Sequence, residues 1–263
     1  MKFRPCIDIH NGKVKQIVGG SLKDTGDTAQ ENFVSSQDAA WYARQYKTDG
    51  LKGGHIILLN PESSEYYKAD VCQAMKALKA YPGGLQIGGG IHPGNALQFL
   101  EAGASHVIVT SYVFKDGKIH FDNLKTLCHL VGREHLVLDV SCRKKGDDYY
   151  IVTDRWQKFT SVKMNAETLE LLSPYCDEFL IHAVDVEGKA SGIEMPLAAL
   201  MGSFQTRPVT YAGGVGCYED LRLLKDLGQN WVDVTIGSAL DLFGGPLPYE
   251  KIRYLGTEKE VLS

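Results

Sequence analysis

Three short landmarks recur in the same order in both halves of this chain, and they constrain the fold more than any other feature. Residues 5–8 (PCID) and 136–139 (LVLD) are apolar runs ending in aspartate. Residues 85–91 (LQIGGGI) and 209–216 (VTYAGGVG) are apolar runs that enter consecutive glycines. Residues 107–111 (VIVTS) and 234–238 (VTIGS) each end in a small hydroxyl residue. The separations are 131 residues from Asp8 to Asp139, 124 from Gly89 to Gly213 and 127 from Ser111 to Ser238. One order at nearly one spacing implies a single domain, 1–263, built as two similar halves, roughly 1–131 and 132–263.

The runs between these landmarks keep the same rhythm. Buried-type strands are expected at 3–9, 55–59, 85–91, 107–111, 135–140, 178–182, 208–212 and 231–236. Helical patterns lie at 36–46, 67–80, 93–102, 121–131, 166–173, 196–203 and 218–227. Strand alternating with helix implies parallel strands joined by helical crossovers. Eight such units in roughly 250 residues match the usual size of a (β/α)₈ barrel, the TIM barrel of the α/β class. A doubly wound open sheet competes, but it would carry one dominant glycine loop near its switch point rather than a matched pair half a chain apart. Outside the alternation, 14–18 reads as a hairpin-like extension, 21–32 as a polar loop and 143–150 as a loop or hairpin.

Composition narrows the function classes. A formal net charge of −4 gives no basic surface for nucleic acid. The six cysteines are scattered without a CxxC pair, which fits reduced thiols in the cytoplasm. The eight histidines have no HxH or HxxxH spacing, so no metal site is expected. The opening MKFRPCIDIHNGK lacks a secretory apolar run, and no stretch has the length of a membrane span.

In a barrel of this kind the functional groups sit at the carboxyl ends of the strands, where all the landmarks lie. Asp8 and Asp139 would end strands 1 and 5, the glycine pairs strands 3 and 7, and Ser111 and Ser238 strands 4 and 8. Glycine permits positive φ and close approach, and free amides at strand ends can cradle a phosphate. The layout therefore implies two anion sites on opposite rims with two carboxylates between them, suited to a long ligand with a phosphate at each end. Carboxyls whose environments split their pKa values can divide acid and base work. Plainer readings stand beside these: aspartates that cap turns, glycines that only make tight turns, Trp156 as packing rather than a stacking platform, and His182 as structural. Cys6 reads as a small core residue.

The residues FRPCIDIHNGKV, QIGGGI, LDV, YAGGV and VTIGSAL, spread along essentially the whole chain, resemble the histidine-biosynthesis isomerases, half-barrel duplicates on a (β/α)₈ fold. These are phosphoribosylformimino-5-aminoimidazole carboxamide ribotide isomerases, and the divergent loops look eukaryotic. The resemblance implies an Amadori rearrangement of an aminoaldose to an aminoketose on a bis-phosphorylated substrate, without metal or organic cofactor. It implies Asp8 as the base at ribosyl C2 and Asp139 as the acid that assists ring opening. Gly89, Gly90, Ser111, Gly213, Gly214, Gly237 and Ser238 match the phosphate-holding loops, and His182 and Trp156 are further candidates for substrate contact. A cytoplasmic monomer with no nucleic-acid or membrane partner is expected.

Three positions depart from the pattern. His92 follows GGGI where the family often has arginine. Strand 6 ends in His182-Ala183 and continues to Glu187-Gly188-Lys189 where a DGT turn is usual. The second strand runs HIILLNP without the usual aspartate. The nearest rival is the cyclase subunit of imidazole glycerol phosphate synthase, whose opening usually continues into a GRVVKG-like segment rather than GKVKQIVGG. A non-catalytic binder of phosphorylated ribosides is the alternative from another class.

Overall fold

The computed structural model describes residues 1–23 and 26–260; residues 24 and 25 of the polar 21–32 stretch and residues 261–263 lie outside the described residues. The first half contains β1 (Cys6–His10), β2 (Lys13–Ile17), β3 (Glu31–Val34), α1 (Ala39–Thr48), β4 (Gly54–Leu58), α2 (Tyr67–Ala80), β5 (Leu85–Gly88), α3 (Ala96–Glu101), β6 (Val107–Val109) and α4 (Phe121–Val131). The second contains β7 (Leu136–Asp139), β8 (Cys142–Lys145), β9 (Asp148–Thr153), β10 (Lys158–Lys163), α5 (Ala166–Leu172), β11 (Glu178–His182), α6 (Met195–Ser203), β12 (Val209–Ala212), α7 (Tyr218–Leu227), β13 (Asp233–Thr235) and α8 (Tyr249–Ile252).

The strands pair in the order β13-β12-β11-β7-β6-β5-β4-β1, all in parallel. The sheet closes on itself. Phe3 bridges Val234 in parallel, Arg4 N donates to Val234 O at 2.8 Å and Val234 N donates to Lys2 O at 2.9 Å. The result is a (β/α)₈ barrel with four of its strands from each half. Closure removes the sheet edges, which would otherwise present unpaired N–H and C=O groups. Among the described residues, no helix is long and apolar enough to cross a membrane.

The helices form because one face of each is apolar and is buried on the outside of the barrel. In α1, Ala39, Ala40, Tyr42, Ala43 and Tyr46 are buried, and Asp38 caps the helix by accepting from Trp41 N at 2.9 Å. Inside the barrel, alternate residues of each strand point to the axis. Ile108, Val137 and Leu180, with Ile57 against them, fill the middle. Below them is a buried polar layer. Glu178 accepts from Gln86 Nε2 at 3.0 Å and Thr210 Oγ1 at 2.7 Å, with Arg4 Nη2 at 3.8 Å. These partners offset the cost of burying a carboxylate, which is several kcal/mol when unpaired. Filled in this way, the barrel leaves its ligand-sized space at the carboxyl ends of its strands.

The elements outside the alternation meet expectation in part. The polar 21–32 stretch ends in a strand, because β3 pairs antiparallel with β2. The hairpin-like extension expected at 14–18 is present: β2 pairs with β1 across a tight turn at Asn11 (φ 52°) and Gly12 (φ 74°). The 143–150 stretch, expected as a loop or hairpin, is the β8–β9 hairpin, and β10 extends it to a separate three-stranded antiparallel sheet, β10-β9-β8. The last barrel strand spans only Asp233–Thr235, and Trp231 before it is exposed. A short helix, α8, lies in the tail.

Candidate active site

Two cavities open at the carboxyl ends of the barrel strands and meet at His182, which lines both. The larger, about 180 Å³, is lined by Gly89, Gly90, Ser111, Asp139 and Trp156 among others. The smaller, about 30 Å³, is lined by Asp8, Gly213, Gly214, Gly237 and Ser238. Each cavity thus holds one of the two strand-end aspartates, Asp139 or Asp8, with a glycine pair and a serine. The side of the mouth that carries Asp139 carries the first-half glycines, and the side that carries Asp8 carries the second-half glycines.

The glycines are required by geometry. Gly89 has φ +100° and a Cβ there would lie 2.2 Å from Leu58 O; Gly214 has φ +76° and a Cβ would lie 2.1 Å from Gly192 O. Both positions combine a left-handed backbone with no room for a side chain. Ser111 Oγ accepts from Asp154 N at 3.1 Å, which ties the β6 end to the β9–β10 turn. In that turn Asp154, Arg155 and Trp156 all have positive φ, and the Trp156 ring is carried to 5.1 Å from the His182 ring.

Opposite this turn, the segment after β2 reaches across the mouth. Gly19 N donates to Glu187 O at 3.3 Å and Asn32 Nδ2 donates to Gly188 O at 2.9 Å. A Cβ on Gly19 would meet Glu187 Cβ at 2.9 Å and Trp156 Cζ3 at 3.1 Å. Gly19 is therefore the point at which loops from both halves touch over the site.

The two aspartates have different surroundings. Asp139 Oδ1 accepts from Ser141 N at 2.8 Å and from Ser141 Oγ in a short contact, and its Oδ2 accepts from Thr110 Oγ1 at 3.0 Å. Asp8 accepts from Gln16 Nε2 at 3.1 Å through Oδ2. Burial pushes both carboxyls up, against the hydrogen bonds that hold them down, and Asp8 reaches about 7. Ser141 Oγ, which donates to Asp139, also accepts from His182 N at 3.1 Å and lies 3.0 Å from His182 Nδ1. With its one hydrogen given to the carboxylate, the hydroxyl accepts from Nδ1–H, leaving His182 Nε2 as an acceptor. Burial lowers His182 to about 4, so the ring is neutral at pH 7. The His55 ring lies 5.8 Å from it and is lowered by burial, and further by His182, to about 3.

Glu187 was missed in the sequence. Its carboxyl lines the smaller cavity, and Oε2 is buried without a hydrogen-bond partner. Burial first, then the Asp8 charge, raise it to about 8. The available signal was its place in the polar, glycine-bearing loop that replaces the usual DGT turn. His55, Thr110, Ser141 and Gln16 were also missed, since each acquires its meaning from a neighbouring strand. His92, the departure after GGGI, has Nε2 3.6 Å from Glu62 Oε2 rather than a place in either cavity.

With this geometry in view, the comparisons with known proteins are specific. The family model described as "Histidine biosynthesis protein" matches residues 2–245. A relative from Medicago truncatula, named 1-(5-phosphoribosyl)-5-((5-phosphoribosylamino)methylideneamino)imidazole-4-carboxamide isomerase, chloroplastic, is 55% identical over 256 residues, covering 96% of this chain and 80% of the relative. Isomerases of the same name from Neurospora crassa and Saccharomyces cerevisiae are 46% and 42% identical, covering 93% and 94% of both chains respectively. A barrel that carries a glycine-lined cavity and an aspartate on each side of its mouth, matched over most of its length, belongs to the histidine biosynthesis protein family.

Proposed function

We propose that this protein is an aldose–ketose isomerase that carries out the Amadori rearrangement of the phosphoribosylformimino-aminoimidazole carboxamide ribotide aminoaldose to the aminoketose in histidine biosynthesis. One observation carries the reading beyond the relatives' names. Each cavity combines a glycine pair and a serine from one half with a strand-end aspartate from the other, and the two meet at one neutral histidine. That arrangement suits a substrate with a phosphate at each end and its reacting sugar between two carboxyls. Backbone amides at Gly89–Gly90 with Ser111, and at Gly213–Gly214 with Gly237–Ser238, are the groups we assign to the two phosphates.

The chemistry needs a proton donor and a proton acceptor. An acid protonates the furanose ring oxygen as the C1–O bond breaks, and the nitrogen lone pair forms the C1=N bond of a protonated Schiff base. A base then takes the proton from C2, and the C2–H electrons form the enolamine and neutralise the nitrogen. Return of a proton to C1, with loss of the C2 hydroxyl proton, gives the ketose. We assign Asp8 as the base. Its affinity for a proton is raised to about 7, near the pH at which a general base is most effective. Asp139 is the acid that the resemblance implies. A second reading gives that role to Glu187, because three donors favour the ionised form of Asp139 whereas Glu187 keeps its proton to about 8 beside Asp8. His182, fixed through Ser141, is positioned to accept a hydrogen bond from a substrate hydroxyl through Nε2, and the Trp156 ring offers a face to the imidazole ring.

We further infer a monomer in a reducing compartment, the cytoplasm; all six cysteines are unpaired, which supports the compartment. The test of the function is turnover of the aminoaldose by the purified protein. Asp8→Asn is expected to fold and to lose turnover, and near-normal turnover in that variant removes Asp8 from the mechanism. Formation of imidazole glycerol phosphate from the ketose and ammonia would instead assign the cyclase reaction.

A further inference from the structure

The two halves of the barrel hold their aspartates by different means. In the first half Thr110, just beyond β6, donates to Asp139 on the adjacent strand at 3.0 Å. The offset of 127 residues that carries Ser111 onto Ser238 carries Thr110 onto Gly237, beyond β13 and beside β1 at the seam where the barrel closes. Glycine has no hydroxyl to donate.

The space is taken by another residue. A Cβ built on Gly237 would lie 2.0 Å from Gln16 Oε1, 3.0 Å from Cδ and 3.5 Å from Nε2, so the three nearest atoms all belong to Gln16. Gln16 comes from β2, which the β1–β2 turn folds back over Asp8 and which β3 holds from its other edge. It is buried, and its Nε2 donates to Asp8 Oδ2 at 3.1 Å and to Cys6 Sγ at 3.8 Å.

We propose that Gln16 is a positioning residue for the base, filling the place that Thr110 fills for Asp139 and fixing both the orientation and the proton affinity of Asp8. The proposal rests on the reading of Asp8 as the base. The other groups facing Asp8 across the smaller cavity are Cys6 on its own strand, His55 on β4, His182 at the end of β11 and Glu187 after it, with Thr235 on β13. Cys6 is buried and uncharged, since its thiol is pushed well up, and both histidines are neutral. No lysine or arginine is among the described residues lining this cavity. A neutral amide therefore orients the carboxylate without the strong drop in basicity that a cation in its place would impose. The same contact makes residue 237 small, linking the base to the loop assigned to the second phosphate.

The test reads Asp8 directly, by carbon-13 NMR titration of its carboxyl, identified by its absence from Asp8→Asn. Gln16→Met keeps the length and removes the donor, and it is expected to move the Asp8 midpoint up by about one pH unit, a tenfold change in proton affinity. Gln16→Arg is expected to move it down. Gln16→Ala combined with Gly237→Thr should return the midpoint towards that of the parent, because residue 237 has no positive φ to forbid threonine and Gln16 no longer occupies the space. Where activity is present, the acid limb of kcat/KM should shift with the midpoint. An unmoved midpoint in Gln16→Met would mean that the side chain only fills space, and would overturn the proposal. A double variant whose midpoint stays with that of Gln16→Ala would overturn the equivalence with Thr110. Absence of turnover in the parent protein would defeat the isomerase reading and leave this titration unaffected.

Discussion

Asp8→Asn should stabilise the protein at pH 8 while it removes turnover. The Asp8 carboxyl is raised from 3.8 to about 7, chiefly by burial. The folded state therefore holds a proton that the unfolded state has released between those two values, and stability falls as pH rises from about 4 to about 7. A separation of about 3 units at about 1.4 kcal/mol each amounts to about 4 kcal/mol when the group is fully ionised. Because Asp8 is only partly buried, about half of that, roughly 2 kcal/mol, is a fairer expectation. Asparagine keeps an oxygen for Gln16 Nε2 and carries no charge to desolvate. For a chain of this length roughly 2 kcal/mol corresponds to a rise of about 4–8 °C in Tm at pH 8. The rise should vanish near pH 4, where the parent carboxyl is protonated in the folded state. Calorimetry of both proteins at pH 4.5 and pH 8, beside a turnover assay, measures the effect. A Tm difference independent of pH, or a loss of stability at pH 8, would refute the reasoning.

Other outcomes follow from the same geometry. On the reading that makes Glu187 the acid, the kcat/KM profile should rise through about 7 and fall above about 8, the two values belonging to the Asp8–Glu187 pair rather than to either residue alone. Glu187→Gln should lower turnover and abolish the falling limb; if that limb persists there and disappears in Asp139→Asn, the acid is Asp139. Gly214→Ala meets both a φ of +76° and the Gly192 carbonyl, and should cost about 2 kcal/mol or more by thermal unfolding and raise KM. Ser141→Ala removes a donor from Asp139 and an acceptor from His182, and should reduce kcat with little change in KM if it acts by orienting those two groups.

The barrel was legible in the chain because its signals are local. Apolar runs such as 55–59 and 178–182 carry their own strand character, and the glycines that follow the runs at 85–87 and 209–212 mark a left-handed backbone that other residues rarely adopt. Asp8, Asp139, the glycines and the serines were legible because each terminates such a run and each recurs in the other half. What escaped reading depends on closure of the barrel. Glu187 faces Asp8 only because the end of β11 and the end of β1 share one mouth. Gln16 looks like an ordinary strand residue until the seam between β13 and β1 brings Gly237 beside it. The 143–150 hairpin was one of two options open in the sequence, but the third strand of its sheet, β10, was not read. The sheet joins strand pairing and the burial of Cys142, Ile151 and Val152 with contacts such as Arg143 and Lys145 over the Phe159 ring, 5.5 and 5.7 Å from its centroid.

A crystal structure of Asp8→Asn with the intact aminoaldose would test most directly whether one substrate spans both cavities. One phosphate should lie on the Gly89–Gly90 amides and Ser111, the other on the Gly213–Gly214 amides and Ser238, with ribosyl C2 beside residue 8. Both phosphates in one cavity, or the sugar carbon facing away from residue 8, would contradict the account.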